Sequence, residues 1–265
     1  MNAATRPSLN PQIVHVHIQG FRAAVEQSLR PRLRGKPVLV GGNRVVSTSQ
    51  EAALLGITCG MAMRQALTTC PAAIVLPSRH ERYAEFSDRL RSILESFTPA
   101  VDSDSSHGFY LHFFGSPYLQ GDFPGLLRRL QLEILKQTGL SVSIGAAMSK
   151  VAAVVASRMA QPGSIEIIPS GTEAEYLASL PVEALDGFGS IDAKNLRYRG
   201  IATIGELRRV PLPALVVAFS EPFARQIWHH ARGLDAPLKT TPLAVFPLSA
   251  LPSLFREFAT AFLSI

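Results

Sequence analysis

The sequence predicts an α+β protein in two parts, and three observations lead there. Strand-like and helix-like segments alternate over residues 12–172, two of the helices in that stretch are long and amphipathic, and residues 173–236 contain only short helical segments. Apolar residues at i, i+3, i+4 and i+7 mark the helices, while short β-branched or aromatic runs bounded by Gly, Pro or Ser mark the strands.

Taken in order, "QIVHVHI" reads as a strand. "FRAAVEQSLRPRL" is the helix after it, with Phe21, Val25 and Leu29 on one stripe. "RGKPVLVGG" and "RVVSTS" are short strands; "QEAALLG" and "MAMRQALTTC" are short helices, the second stopped by Pro71. A long amphipathic helix follows in "SRHERYAEFSDRLRSILESFTP", with Tyr83, Phe86, Leu90, Ile93, Leu94 and Phe97 on one side. "GFYLHFF" is a strand, "FPGLLRRLQLEILKQTG" a helix stopped at Gly139, "LSVSIGAA" a strand, "SKVAAVVASRMAQPG" a helix and "GSIEIIPSG" a last strand. Two helices packed on one face of a small antiparallel sheet is the ferredoxin-like plan. Beyond residue 172 come the helical pieces "TEAEYLASL", "VEALDGFG", "SIDAKNLRYRG", "TIGELRRV", "LPALVVAFS" and "EPFARQIWHHARG", an all-α unit, and then a Pro-rich linker and tail.

Composition narrows the class. With 265 residues, 47% of them hydrophobic and 17% charged, the chain can bury a sizeable core and divides into two or three units. No apolar run reaches the roughly 18 residues needed to cross a bilayer. The start, "MNAATRPSLNPQ", lacks the apolar core of a signal peptide, so a cytoplasmic protein with no membrane partner is expected. Cys59 and Cys70 are too few for a disulfide framework and are not spaced as a zinc ribbon. The net charge of +6 is uneven: residues 1–91 carry 12 Lys/Arg against 5 Asp/Glu, which fits a polyanion partner.

The most specific stretch is "LDGFGSIDAKNLRYRGIATIGELRRV". A Gly-x-Gly hairpin between two helices presents backbone N–H groups with no side chain in the way, the device by which a helix-hairpin-helix holds a phosphate without reading bases. Gly187, Gly189, Lys194, Arg197 and Arg199 are therefore the candidate DNA-binding residues. The basic loop "RPRLRGK" reads either as a partner-facing patch or as a solvated turn.

Together with "VHIQGFRAAVEQ", "LRGKPVLVGG", "VVSTSQEAALLGITCGMAMRQALTTCP", "SVSIGAAMSKVAAVVAS" and "ARGLD", that stretch closely resembles the Y-family, or DinB/UmuC-type, translesion DNA polymerases in order and spacing over about residues 12–236. The resemblance implies a ferredoxin-like palm formed by residues 12–26 and 80–172, small inserted fingers at 27–79, a thumb at 173–236, and a linker and tail at 237–265 without the little-finger domain. It also implies a metal-dependent polymerase site, since two divalent ions clamped by carboxylates must polarise the 3′ hydroxyl and neutralise the triphosphate. The family's H-V-D-M-D-type strand reads "HVHIQ" here, placing His17 and Gln19 at its acids. The S-L-D-E-type motif reads "SSHG", placing His107 and Gly108 at the other two acids. In the nucleotide pocket, Gln50 and Ala53 stand at the triphosphate-contacting Tyr and Arg, Arg22 at the aromatic steric gate, and Lys150 alone keeps the family residue.

The expectation is thus a catalytically inactive relative, similar to the ImuB-type components of mutagenic repair complexes, with no magnesium and no other cofactor. Its expected partners are primer-template or damaged DNA and a RecA-like filament, a sliding clamp or an active error-prone polymerase. Leu254 and Phe255 in "LPSLFREF" look faintly like a clamp-binding peptide lacking its Gln. Two other readings stand beside it: a protein-interaction adaptor without useful DNA affinity, and a residual metal-dependent enzyme, either a nucleotidyl transferase with Mn²⁺ or a phosphodiesterase at a histidine-rich site. His17 and His107, with His112 as a third ligand, are the candidates for Zn²⁺ or another transition metal.

Overall fold

The structure is a computed structural model that describes residues 11–104, 108–114, 121–186, 188 and 190–236. The chain divides by its contacts into two compact units, meeting at Thr172 and Glu173.

The first unit is built on a five-stranded sheet. Strand β1 (Ile13–His17) lies at its centre, followed in the chain by α1 (Phe21–Leu29) and a smaller sheet of β2 (Val38–Gly41), β3 (Val45–Thr48) and, beyond α2 (Gln50–Leu54) and α3 (Met63–Thr69), β4 (Ile74–Leu76). The small sheet runs β3-β2-β4. Helix α4 (His80–Glu95) leads to β5 (Val101–Ser103) and β6 (Phe109–His112); then come α5 (Phe123–Thr138), β7 (Ser143–Ala147), α6 (Lys150–Met159) and β8 (Ile165–Ile167). The large sheet runs β5-β6-β1-β7-β8.

This sheet departs from the antiparallel expectation at one edge. Strands β7 and β8 pair in parallel, Ile144 with Ile165 and Ala146 with Ile167. The reason is α6: a strand can return parallel to its predecessor only through a crossover, and α6 supplies one. The short strands β4 and β5 are not among those read from the sequence, whereas the equally short β8 is.

Alternation sorts the large sheet into two faces. Val14, Val16, Phe109, Leu111, Ile144 and Ala146 point into a core shared with Leu90 and Leu94 of α4 and Leu127, Leu130 and Ile134 of α5. On the other face sits α6, whose residues from Val151 to Ser157 are all buried. It lies very close: a Cβ on Gly145 would fall 2.1 Å from the Ala153 carbonyl oxygen. With helices on both faces, β1 is buried along nearly all its length, which explains why "IVHV" is a continuous buried run with a histidine inside it.

Local signals agree with these elements. The expected stop at Gly139 is a left-handed C-cap with φ 71°, and Asp122 caps the other end of α5 through the Gly125 N–H. Helix α1 differs from its predicted stripe: Phe21 and Val25 are buried, but Leu29 is 42% exposed because the helix ends there. Glu26 is buried in its stead. Its carboxylate accepts from Arg79 Nε at 2.9 Å and the Tyr83 hydroxyl at 2.9 Å, and lies 3.2 Å from Arg30, so the burial is fully compensated.

The second unit contains α7 (Glu173–Ala178), α8 (Ser190–Tyr198), α9 (Ile204–Arg209), α10 (Leu212–Ala218) and α11 (Glu221–His230), a helical unit as expected. Thr203 and Glu206 close a reciprocal capping box on α9. Among the described residues no helix is long and apolar enough to cross a membrane. Gly187, Gly189, His107 and the tail with Leu254 and Phe255 lie outside the described residues.

Candidate functional site

The site begins at the end of β1. Antiparallel pairing sets Val16 opposite Phe109 of β6 and His15 opposite Tyr110, so one residue further on each strand lie His17 and Gly108. Alternation puts His15, His17 and Tyr110 on the face away from the α4–α5 core, and the two histidine rings stack with centroids 6.3 Å apart.

His15 is fully buried on that face, and a buried imidazole needs partners at both nitrogens. Its Nδ1 is 2.6 Å from Ser157 Oγ on α6, and its Nε2 is 3.1 Å from Asp104 Oδ2. The Ser157 hydroxyl is 2.8 Å from the Val154 carbonyl, to which it donates, leaving its lone pairs to the ring. Asp104 is itself held from three sides: by His15, by the Gly108 N–H at 2.6 Å to Oδ1, and by Arg158 at 3.5 Å.

Gly108 is part of this arrangement through what it lacks. A Cβ there would sit 2.5 Å from His15 Nε2 and 2.8 Å from Asp104 Oδ2, nearer than side chains approach. The His15–Asp104 pair therefore fills the space that any side chain at 108 would enter.

His17 is the next ring outward. Its Nε2 is 3.4 Å from Gln19 Oε1, and its Nδ1 is buried with no hydrogen-bond partner among the described residues. Burial lowers its pKa from 6.5 to about 4, helped by the charges of His15 and Arg158 and opposed by Gln19 and Asp104. At neutral pH it is an uncharged imidazole. Such a ring beside a glutamine is a poor donor set for a hard divalent ion, which takes carboxylate oxygens. Among the described residues no group of three His, Cys, Asp or Glu could hold a metal.

A second cluster sits along β5 and β6. Asp102 is 3.0 Å from both Lys150 Nζ and His112 Nε2, and these hydrogen bonds, that from Lys150 foremost, hold its carboxyl below the usual range. The Lys150 ammonium also lies 4.8 Å from the Tyr110 ring centre, against His15 at 4.9 Å. Lys150 is thus adjacent to the histidine cluster and held by an acid.

The remaining predicted residues sit elsewhere in the unit. Arg22 on α1 lies over the Tyr83 ring at 5.7 Å, Gln50 is exposed at the first turn of α2, and Ala53 is partly buried on the same short helix. In the second unit Lys194, Arg197 and Arg199 are exposed on or just past α8. Arg197 is bound to Glu183 at 2.7 Å. Tyr198 between them is 94% exposed.

Sequence reasoning missed His15, Asp104, Ser157 and Arg158. The signals were present: a histidine inside a buried strand must be satisfied, a lone serine interrupts the apolar run of α6, and the acids of "VDSDSSHG" stand just before the altered motif.

A central sheet with helices on both faces, a small inserted sheet-and-helix unit after the first strand, and a helical unit following define a palm-and-fingers fold of polymerase type. Comparison with known proteins agrees. The family described as impB/mucB/samB matches residues 16–158, and the chain belongs to it. "DNA polymerase IV" of Dehalococcoides mccartyi (strain CBDB1) is 33% identical over 229 residues, covering 84% of this chain and 58% of the relative. "DNA polymerase IV 2" of Mesorhizobium japonicum is 36% identical over 203 residues, covering 77% and 49%. The chain thus spans about half the length of the curated relatives it matches. Among solved structures, DinB from Sulfolobus solfataricus superposes with a TM-score of 0.75 at 24% identity over 96% of this chain and 80% of that one, a likeness of fold. The insertion ternary complex of Dbh DNA polymerase does so with 0.74.

Proposed function

We propose that this chain is a catalytically inactive Y-family polymerase relative that holds primer-template or damaged DNA and recruits partners in DNA repair and translesion synthesis in the cytoplasm. The observation carrying the inactive part is the closure around Gly108. Where the resemblance implies an acid, a Cβ has no room, because His15 and Asp104 are hydrogen-bonded through that space. Without carboxylates at positions 17, 19, 107 and 108, two divalent ions have no bridging ligands, so no magnesium or other cofactor is required. Lys150, Arg22, Gln50 and Ala53 remain as a vestige of the nucleotide pocket.

DNA holding rests on the second unit. Backbone N–H groups at Gly187 and Gly189, with Lys194 and Arg199, would grip phosphates in a helix-hairpin-helix manner. Similarity to relatives named DNA polymerase IV and to ternary complexes of Dbh DNA polymerase supports DNA as the ligand. Partner recruitment would involve a RecA-like filament, a sliding clamp or an active error-prone polymerase. A second reading, an adaptor without useful DNA affinity, is favoured by one contact: Arg197 is ion-paired with Glu183, which removes a cation from the proposed grip.

Fluorescence anisotropy of a labelled primer-template titrated at several salt concentrations separates the two. A DNA holder gives log affinity falling linearly with log salt, with a slope near −0.9 per phosphate contact. Absence of binding at low salt overturns DNA holding and leaves the adaptor.

A further inference from the structure

Helix α5 buries one side in the core and leaves the other uncovered. Leu132 is 62% exposed and Leu135 46%, and with Arg128 they stand at i, i+4 and i+7, a single stripe along successive turns. Arg129 and Lys136 flank that stripe and are exposed too. Beside it an open groove of about 450 Å³ is lined by Phe97, just past the end of α4, and by Arg129, Leu132 and Glu133 of α5.

The charges on this face are unusual for their surroundings. Residues 92–180 carry 5 Lys/Arg against 8 Asp/Glu. Of the five, Lys150 and Arg158 are engaged by Asp102 and Asp104, and the other three, Arg128, Arg129 and Lys136, all stand on this one face. They have no ion-pair partner among the described residues. Of the neighbouring acids, Glu133 accepts one hydrogen bond from Gln137 at 2.6 Å and keeps its charge, so three cations against one anion leave the α5 face net positive, and Glu95 lies 3.8 Å from Arg91.

We propose that the exposed α5 face and its groove form a docking site for an acidic amphipathic helix of a partner protein, its leucine-type side chains meeting Leu132, Leu135 and Phe97 and its carboxylates meeting Arg128, Arg129 and Lys136. Two exposed leucines at the centre of the stripe suit the apolar face of a protein helix, whereas a nucleic acid would engage the flanking cations and leave those leucines unmatched. A second copy of the chain is disfavoured by charge, because a two-fold contact would bring this cationic face against itself. This goes beyond the DNA-holding reading and is tested without DNA binding as the readout, so either can fail alone.

The experiment uses the 265-residue chain and a fluorescein-labelled helical peptide with leucines at i, i+4 and i+7 and glutamates flanking them. The expected result is saturable binding that weakens with salt. It should fall about tenfold or more in Leu132→Ser/Leu135→Ser and again in Arg128→Glu/Arg129→Glu, with unchanged circular dichroism. The same peptide with lysines for glutamates should not bind. The proposal is overturned by no binding of the acidic peptide, by equal binding of the lysine peptide, or by variants that bind as wild type. It is equally overturned if primer-template DNA displaces the peptide from wild type, or if sedimentation velocity shows self-association that these same variants abolish.

Discussion

The two faces of the large sheet carry the same strands but have different chemistry. Toward α4 and α5, every inward residue of β1, β6 and β7 is apolar and the core is continuous. Toward α6, the same strands present His15, His17 and Tyr110, and each polar atom of His15 is met by Ser157 or Asp104. The first face is continuous apolar core, and the second carries a closed hydrogen-bonded cluster around His15. On the inactive reading proposed above, the scaffold persists while the metal site is replaced, because the two depend on alternate residues of the same strand.

The largest effect should come from removing one support of a buried carboxylate and leaving a cavity in its place. His15→Ala strips Asp104, whose side chain is 7% exposed, of its imidazole partner. With the Gly108 N–H and Arg158 still on the carboxylate, a loss of about 2–4 kcal/mol in unfolding free energy is expected, comparable to Leu130→Ala on the apolar face at about 2–5 kcal/mol. Urea denaturation measures both; a near-neutral His15→Ala would show that the polar cluster contributes nothing to the fold.

Next comes pH. His17 is neutral in the folded protein down to about pH 4 but protonates near 6.5 when unfolded. Between these values the unfolded chain binds more protons, so stability should rise with pH across about 4 to 6.5 and level off above. The drop in pKa corresponds to at most roughly 3 kcal/mol. Replacing His17 by Asn should flatten that slope, as read from denaturation midpoints at several pH values; an unaltered slope would remove His17 from the cause.

Gly108→Ala should cost about 1–3 kcal/mol by overpacking against His15 and Asp104. The same crowding means that acids restored at His17, His107 and Gly108 should leave the chain without synthesis in a primer-extension gel. Recovered synthesis in that variant would show that the cluster yields easily. The smallest effect on stability, within about 0.5 kcal/mol, is expected for Lys194→Glu with Arg199→Glu, which are exposed on the second unit. Their DNA affinity should nevertheless drop severalfold, and unchanged anisotropy curves would dismiss the assigned grip.

Much of this architecture was legible in the sequence because long periodic segments dominate it. The stripe Tyr83, Phe86, Leu90, Ile93 and Leu94 is buried as its spacing predicts, and Gly139 ends α5 where a left-handed cap is needed. Strands β4 and β5 escaped although β8 is equally short: β5 is Val-Asp-Ser, with no apolar alternation to mark it, and β4 follows closely on the Pro71 stop. The parallel β7–β8 edge escaped because pairing direction is set by the path of α6, not by strand composition. At the site, position-by-position likeness found His17 and Gly108, since those are changes from a pattern. It could not find Asp104 and Ser157, which tertiary folding brings to His15 from 89 and 142 residues away, or Arg158, which meets Asp104.

The most direct test is a primer-extension assay of the unmodified chain with all four deoxynucleotides, in magnesium and in manganese. The account predicts that the primer stays at its starting length in both. Extension by successive nucleotides would contradict it, showing that His17, Gln19 and their neighbours support metal-dependent transfer after all.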